Sequence, residues 1–274
     1  MDSIGVKTYS DCVSECIVGT SAQRWRSKSA NSAFLVAVIK TLQESDDNDT
    51  TVEWLCDGET LKQLESDFLV ATKASELAAD GQLSIRAGTD DTGDTPTVLV
   101  SPERAISVLP LSGEETVQTE IEDEEIVGRL WEKYETEWEM GIPESIDTPP
   151  YSRLLALADH KLGPEVSEDL DSAYAAVGTR APDGRLEPVT VGLLIGAKHD
   201  LLLRDVVEWA ETTTLATQGT VSKLKQQLED VGVVTTESEN IGVGRPRQRL
   251  TLADGSFKSL SPGELVANVQ SVLA

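Results

Sequence analysis

Apolar residues recur along this chain at two periods, that of a strand and that of a helix, and their alternation predicts its elements. Residues 9–19 predict a short helix with Cys12, Val13, Cys16 and Ile17 inward. Residues 25–29 predict a strand, and 31–45 a helix opened by a capping Asn31 or Ser32, with Leu35, Val38, Ile39 and Leu42 on one face. The run 51–57 is strand-like. One long helix is expected over 59–79, with Leu61, Leu64, Phe68 and Leu69 on one side and Asp80-Gly81 closing it. A strand follows at 82–87, then a hairpin of 96–101 and 104–110 turning at Ser101-Pro102-Glu103. Residues 122–139 predict a helix striped by Val127, Leu130, Trp131, Tyr134 and Trp138. Its remaining acids, among them Glu124, Glu125, Glu132, Glu135 and Glu139, are expected to be solvated. This alternation predicts an α/β domain with a mixed sheet covered by helices.

The pattern then changes. The proline-rich GIPESIDTPPY of 141–151 is expected to be a linker. Two helices follow at 152–161 and 164–177. In the second, Val166, Leu170, Ala173 and Val177 keep a and d spacing, suited to packing in cis or to a dimer seam. Residues 187–198 form an apolar helix, and 201–213 a short amphipathic one with Leu203, Val206, Val207 and Ala210 inward. After a turn, 216–231 carries Val221, Leu224, Leu228 and Val231 as one stripe, with Gly232 where a left-handed cap is expected. Residues 233–237 and 247–252 pair as strands around a turn at 240–246, with Leu250 and Leu252 inward. Ser261-Pro262-Gly263-Glu264 is a capping box opening a last amphipathic helix that could dock in cis or across a dimer.

Two helices joined by a short turn and followed by a hairpin are the order of a winged helix-turn-helix, whose second helix enters the major groove. Its outward face is Gly219, Ser222, Lys223 and Gln226, with Thr217 and Gln218 at the start and Thr220 and Lys225 flanking. Gln pairs bidentately with adenine, Ser and Thr bond several base edges, and Lys reaches guanine or phosphate. The hairpin tip holds Arg245, Arg247 and Arg249, and Gly244-Arg245-Pro246 resembles the core of minor-groove hooks, where proline keeps the backbone extended and arginine enters a narrow groove. The divisions expected are therefore 1–142, an α/β regulatory domain; 143–184, linker and helical connector; 185–258, the winged helix-turn-helix; and 259–274, a C-terminal helix. The partners expected are double-stranded promoter DNA and a second copy of the chain.

Charge sharpens this picture. With 23 Lys and Arg against 48 Asp and Glu, the net charge is −25. Residues 1–184 hold 14 basic and 37 acidic residues, net −23, while 185–274 hold 9 and 11, net −2. An acidic excess spread over helices and loops fits molar salt, where a Debye length of about 3 Å makes self-repulsion cheap. The same salt suppresses counterion release, so a DNA reader there depends on base and shape contacts more than on phosphates. No apolar run approaches a membrane span and no secretory leader is expected, which points to a cytoplasmic protein.

No glycine-rich phosphate loop, nucleophile elbow or histidine cluster signals an enzyme, and no cofactor is implied. Cys12, Cys16 and Cys56 match no metal spacing and are expected to be buried thiols. A metabolite effector could sit at strand ends, where Asp57, Gly58, Ser101 and Arg104 are the candidates, although turn and capping roles suit all four. Arg86 and Arg104 are the cations expected in the strand-rich part. The competing function is an effector-binding adaptor whose winged unit contacts protein.

The segments WLCDGETLKQLESDFLVATKASELAADGQLSIR, WAETTTLATQGTVSKLKQQLEDVGVV and VGRPRQRL resemble the haloarchaeal TbsP family of transcriptional regulators. The first half is also similar to the degenerate phospholipase D-like domain of the sugar-responsive TrmB family. Phospholipase D enzymes need an HxK motif with a downstream Asp; His160-Lys161-Leu162 does not supply it, so hydrolysis is not implied. The resemblance implies a promoter-binding regulator of central carbon metabolism, in that family a repressor of a glyceraldehyde-3-phosphate dehydrogenase gene.

Overall fold

The computed structural model describes residues 6–17, 23–45, 49–88, 97–111, 115–178, 186–239 and 247–273. The chain divides into two compact units, Met1–Pro150 and Tyr151–Ala274.

In the first unit an eight-stranded sheet runs in the order β1 (Val6–Thr8), β7 (Glu115–Ile121), β6 (Ala105–Pro110), β5 (Thr97–Val100), β2 (Arg24–Lys28), β3 (Thr51–Cys56), β4 (Leu83–Ala87) and β8 (Ile142–Glu144). Among the described residues only β2–β3 and β3–β4 pair in parallel. Parallel neighbours need long crossovers, and helices supply both. The first is α2 (Ser32–Glu44), and the second is α3 (Gly58–Ser66) with α4 (Phe68–Ala79). Asn31 caps α2 by accepting from the Phe34 amide at 3.0 Å. These helices and α1 (Tyr9–Ile17) share one core with a face of the sheet, where Trp25, Phe34 and Trp54 are fully buried. Beneath the opposite face, α5 (Glu124–Met140) packs Val127 and Tyr134 against Val100 and Ala105. The thiols of Cys12, Cys16 and Cys56 are buried, and desolvation pushes that of Cys56 up to about 12.

Several expectations change here. The single helix over 59–79 is two, because Asp67 leaves the helical region and its carboxylate accepts from the Val70 amide at 3.2 Å. A side chain that bonds the backbone in this way offers it an alternative to continuing the helix. Strands β1, β7 and β8 were not expected: β7 buries only Thr116 fully, and all three residues of β8 are exposed, so neither shows an apolar period. Pairing of β8 with β4 also carries the stretch expected as linker into the sheet. The division consequently falls after Pro150 and not at 142.

The second unit is helical: α6 (Tyr151–Leu162), α7 (Pro164–Gly178), α8 (Pro188–Lys198), α9 (Leu203–Thr212), α10 (Gln218–Asp230) and α11 (Pro262–Leu273), with a ribbon of β9 (Val234–Glu239) and β10 (Arg247–Leu252). Every residue of α8 from Val189 to Ala197 is buried. A helix apolar all round belongs at a core, and α7, α9, α10, α11 and β10 all pack on it. Residues expected as a connector therefore form part of this core. The α7 stripe, Val166, Leu170, Ala173 and Val177, is at most 4% exposed within the unit, which closes the dimer-seam alternative for that helix. Likewise α11 docks in cis on α7, its Leu265, Val266 and Val269 buried and its capping box made by Ser261 and Glu264. One slot decides the middle of the core: a Cβ on Gly192 would lie 2.7 Å from Trp209 Cζ3, so only glycine lets α8 and that indole meet.

Candidate nucleic-acid interface

Helix α9 ends at Thr213, whose hydroxyl donates back to the Trp209 carbonyl at 2.9 Å. Thr214 then turns with φ 56°, and Thr217 caps α10 by accepting from the Thr220 amide at 3.3 Å. The amide of Gln218 donates to Glu211 at 3.1 Å, so the incoming helix also fixes the first turn of the next.

On α10 the inward residues are Val221, Leu224 and Leu228. Gln218, Gly219, Thr220, Ser222, Lys223 and Gln226 are exposed on the other side, as the helical period requires. Gln226 Nε2 donates to Asp230 Oδ1 at 2.9 Å, which holds its amide flat along the helix surface. Gly232, at φ 74°, reverses the chain into the ribbon.

Two expected contacts turn out to be structural. Lys225 lies four residues after Val221 and three before Leu228, at the edge of the buried stripe. Its side chain is 12% exposed and its Nζ is 2.8 Å from Glu229. Glu229 also accepts the Thr236 hydroxyl, so this trio ties α10 to β9. Arg249 is half-buried, and its Nη1 donates to the Asp200 carbonyl at 2.5 Å, fastening the ribbon to the turn before α9. Arg247 remains exposed. Arg245 and the rest of the tip at 240–246 lie outside the described residues.

The Glu229 tie gives a pH dependence. Burial raises the carboxyl, but hydrogen bonds from Lys225 and Thr236, with the Lys225 charge, outweigh that and leave it below the ordinary 4.5. A group depressed by folding contributes stability above its unfolded value, and the contribution is lost as pH falls through the folded one. Acidification below the ordinary glutamate value is therefore expected to loosen the ribbon from α10 progressively, as the pH falls through the lowered value of Glu229. Amide exchange of β9 should accelerate there, and Glu229→Gln should remove that dependence.

The proposed effector residues do not converge. Asp57 caps α3, accepting from the Thr60 amide at 2.7 Å, and Gly58 is that helix's first residue. Ser101 Oγ accepts from the Arg104 amide at 3.1 Å inside the β5–β6 turn, and Arg104 Nε lies 2.7 Å from Glu120. Because β5 runs antiparallel to β2 while β3 runs parallel to it, the two pairs sit at opposite ends of the sheet. A different cluster fills the face under α5. Arg26, 3% exposed, pairs with Glu53 at 2.6 Å and Glu135 at 3.3 Å, and lies 4.0 Å from the Trp131 ring centre. Lys28 meets Glu137 at 3.1 Å, and Arg86 lies 4.6 Å from the Trp138 ring centre. Glu135 is thus an ion-pair partner as well as a surface acid, and β2 adds Arg24, Arg26 and Lys28 to the cations expected. The strand alternation of RWRSK, with Trp25 on one face and Arg26 on the other, is the signal that could have found them.

Among the described residues no helix is long and apolar enough to cross a membrane, and no group of three or more His, Cys, Asp or Glu is placed to hold a metal.

Comparison with known proteins follows the same division. Residues 3–149 match the family described as transcriptional regulator TbsP-like, N-terminal, and residues 150–270 the TbsP-like C-terminal HTH domain. No match is found among curated proteins. Among solved structures, TrmBL2, described as an archaeal chromatin protein with a novel mode of DNA binding, is similar at 16% identity and a TM-score of 0.33. The match covers 52% of this chain and 54% of that one, so the chain spans about half of TrmBL2. The phospholipase D family member Nuc from Salmonella typhimurium is similar at 10% identity and a TM-score of 0.35, over 52% of this chain and 98% of that one. The Aeropyrum pernix Orc1 protein, solved in complex with DNA, is similar at 12% identity and 0.23, over 87% and 68%. Scores this low carry no argument about architecture, which rests on the sheet and helices described above.

Proposed function

This chain belongs, through both of its units, to the TbsP-like family of transcriptional regulators; from that premise we propose that it is a sequence-specific repressor of central carbon metabolism genes in a halophilic archaeon. It acts in the cytoplasm as a homodimer on double-stranded promoter DNA, and it is not an enzyme. The observation that carries the reading is the exposed polar face of α10, free of acids from Gln218 to Gln226, together with an exposed Arg247 at the start of β10. On a chain of net charge −25 such a surface stands apart. The broad acidic excess supports the halophilic source, since screening in molar salt removes its cost.

Gln218, Gly219, Ser222, Lys223 and Gln226 enter the major groove, Thr217 and Thr220 flank that face towards the phosphates, and Arg245 and Arg247 reach the flanking minor groove. Lys225 and Arg249 hold the scaffold. Lys223→Ala is expected to weaken binding more on the preferred site than on other sequences and, with one cation removed from the interface, to reduce the salt slope by about 1. Gln226→Ala and Arg245→Ala should each cost about 1–3 kcal/mol on the preferred site and relax discrimination. Gel-shift titrations on a selected site and a scrambled one check both. Unchanged affinity for Arg245→Ala would remove the ribbon tip from the mechanism, and an unchanged consensus for Gln226→Ala would remove that residue as a base reader.

A further inference from the structure

A cavity of about 460 Å³ opens in the second unit at the C-terminal end of α10. Its lining comes from the start of α8 (Leu186, Glu187, Thr190), the last turns of α10 (Leu224, Gln227, Leu228, Asp230, Val231) and the end of α11 (Leu273). Leu186, Leu224 and Leu228 form a buried floor, and Val231 and Leu273, each 41% exposed, stand at the mouth. Among the described residues of this unit only Val231, Leu273 and the adjacent Val272 are large apolar side chains left exposed. Apolar exposure gathered at one concave place marks a binding site, and the volume suits a small organic molecule.

The polar part of the lining gives the sign of that molecule. Glu187 and Asp230 are carboxylates, Thr190 and Gln227 are neutral, and among the described lining residues there is no lysine or arginine. The C-terminal end of α10 adds the negative end of its dipole. Glu187 makes no capping hydrogen bond with its side chain at the start of α8, so that carboxylate is not committed to the helix it precedes. We propose that this cavity binds an amphipathic organic cation, its hydrocarbon part over Leu224 and Leu228 and its ammonium between Glu187 and Asp230.

Asp230 gives the site a route to the DNA face. The carboxylate that would receive the ammonium is the one that accepts from Gln226 Nε2 at 2.9 Å. A bound cation competes for that oxygen and frees the Gln226 amide, so occupancy alters the residue assigned above to reading a base. This last step rests on the proposed DNA-reading role, whereas occupancy of the cavity does not.

The test is a titration of DNA-free, isotopically labelled full-length protein with n-hexylamine, using 1-hexanol and hexanoate as neutral and anionic probes of equal chain length. Hexylamine is expected to bind about fivefold more tightly than hexanol, the upper end for an exposed ion pair. It should shift the methyl signals of Leu228 and Leu273 together with the side-chain amide of Gln226. Asp230→Asn, a surface change, should erase the preference for hexylamine and leave hexanol binding in place. Equal affinity for all three probes, or shifts elsewhere with Leu228 and Leu273 still, overturns the proposal. Leu273→Asp checks the other occupant: a dimer of the parent protein that this variant splits in sedimentation would make the cavity an interface between copies and overturn the ligand assignment. Because no DNA is present, failure here is separable from failure of the DNA-reading role, which the gel shifts measure.

Discussion

Trp209→Ala is expected to destabilise the Tyr151–Ala274 unit by about 3–5 kcal/mol, the range for deleting a buried tryptophan, and to abolish operator binding with it. The indole is 0% exposed and its Nε1 donates to the Leu154 carbonyl at 3.4 Å, so it bridges α9 to α6 while filling the slot beside Gly192 on α8. The slot is walled on one side by Gly192 of α8, and α10 and β10 both pack on that helix. The cost is a large share of the ordinary stability of a domain of this size, about 5–15 kcal/mol. Urea unfolding followed by far-UV circular dichroism should show the midpoint falling for this unit. A loss below about 1 kcal/mol would mean that the indole is not the keystone described, since that is the ordinary cost of a substitution without a special mechanism.

Arg26→Leu is expected to cost the Met1–Pro150 unit about 3 kcal/mol, near the lower end for removing one partner of a buried pair. Glu53, 13% exposed, would then keep only Arg24, at 2.6 Å, and Trp131 would lose the cation on its face. The double change Arg26→Leu, Glu53→Leu should recover most of the loss, because replacing both ions by apolar groups of similar size is often neutral. Tryptophan fluorescence during urea unfolding reports it, as Trp131 lies on the guanidinium. If single and double variants unfold at the same midpoint, the network contributes packing alone.

The helical parts of both units, and the helix-turn-helix order above all, could be followed from apolar spacing, because each amphipathic stripe faces one local core. Gln226 and Ser222 fall outward for the same reason that Val221 and Leu228 fall inward. What sequence periodicity missed depends on partners distant in the chain. Trp209 lies beside the expected α9 stripe, and only Gly192, seventeen positions earlier, makes room for it. Lys225 and Arg249 look like free cations until Glu229 and the Asp200 carbonyl are brought to them. Strands β7 and β8 bury so little that no period marks them, and the two halves of the expected effector site separate through the opposed directions of β3 and β5. The cavity beside α10 is likewise a product of three elements meeting, with no signature in any of them alone.

Contact of duplex DNA with the exposed faces of α10 and the ribbon is the central proposal. The most direct test selects from a random duplex pool in molar KCl with the parent protein and with the triple variant Ser222→Ala, Lys223→Ala, Gln226→Ala, checking that both unfold at the same urea midpoint. The parent should enrich a consensus of two related half-sites about one helical turn apart, as a two-fold dimer requires, and the triple variant should enrich none. Recovery of the same consensus by both proteins, or of no consensus by the parent, would contradict it.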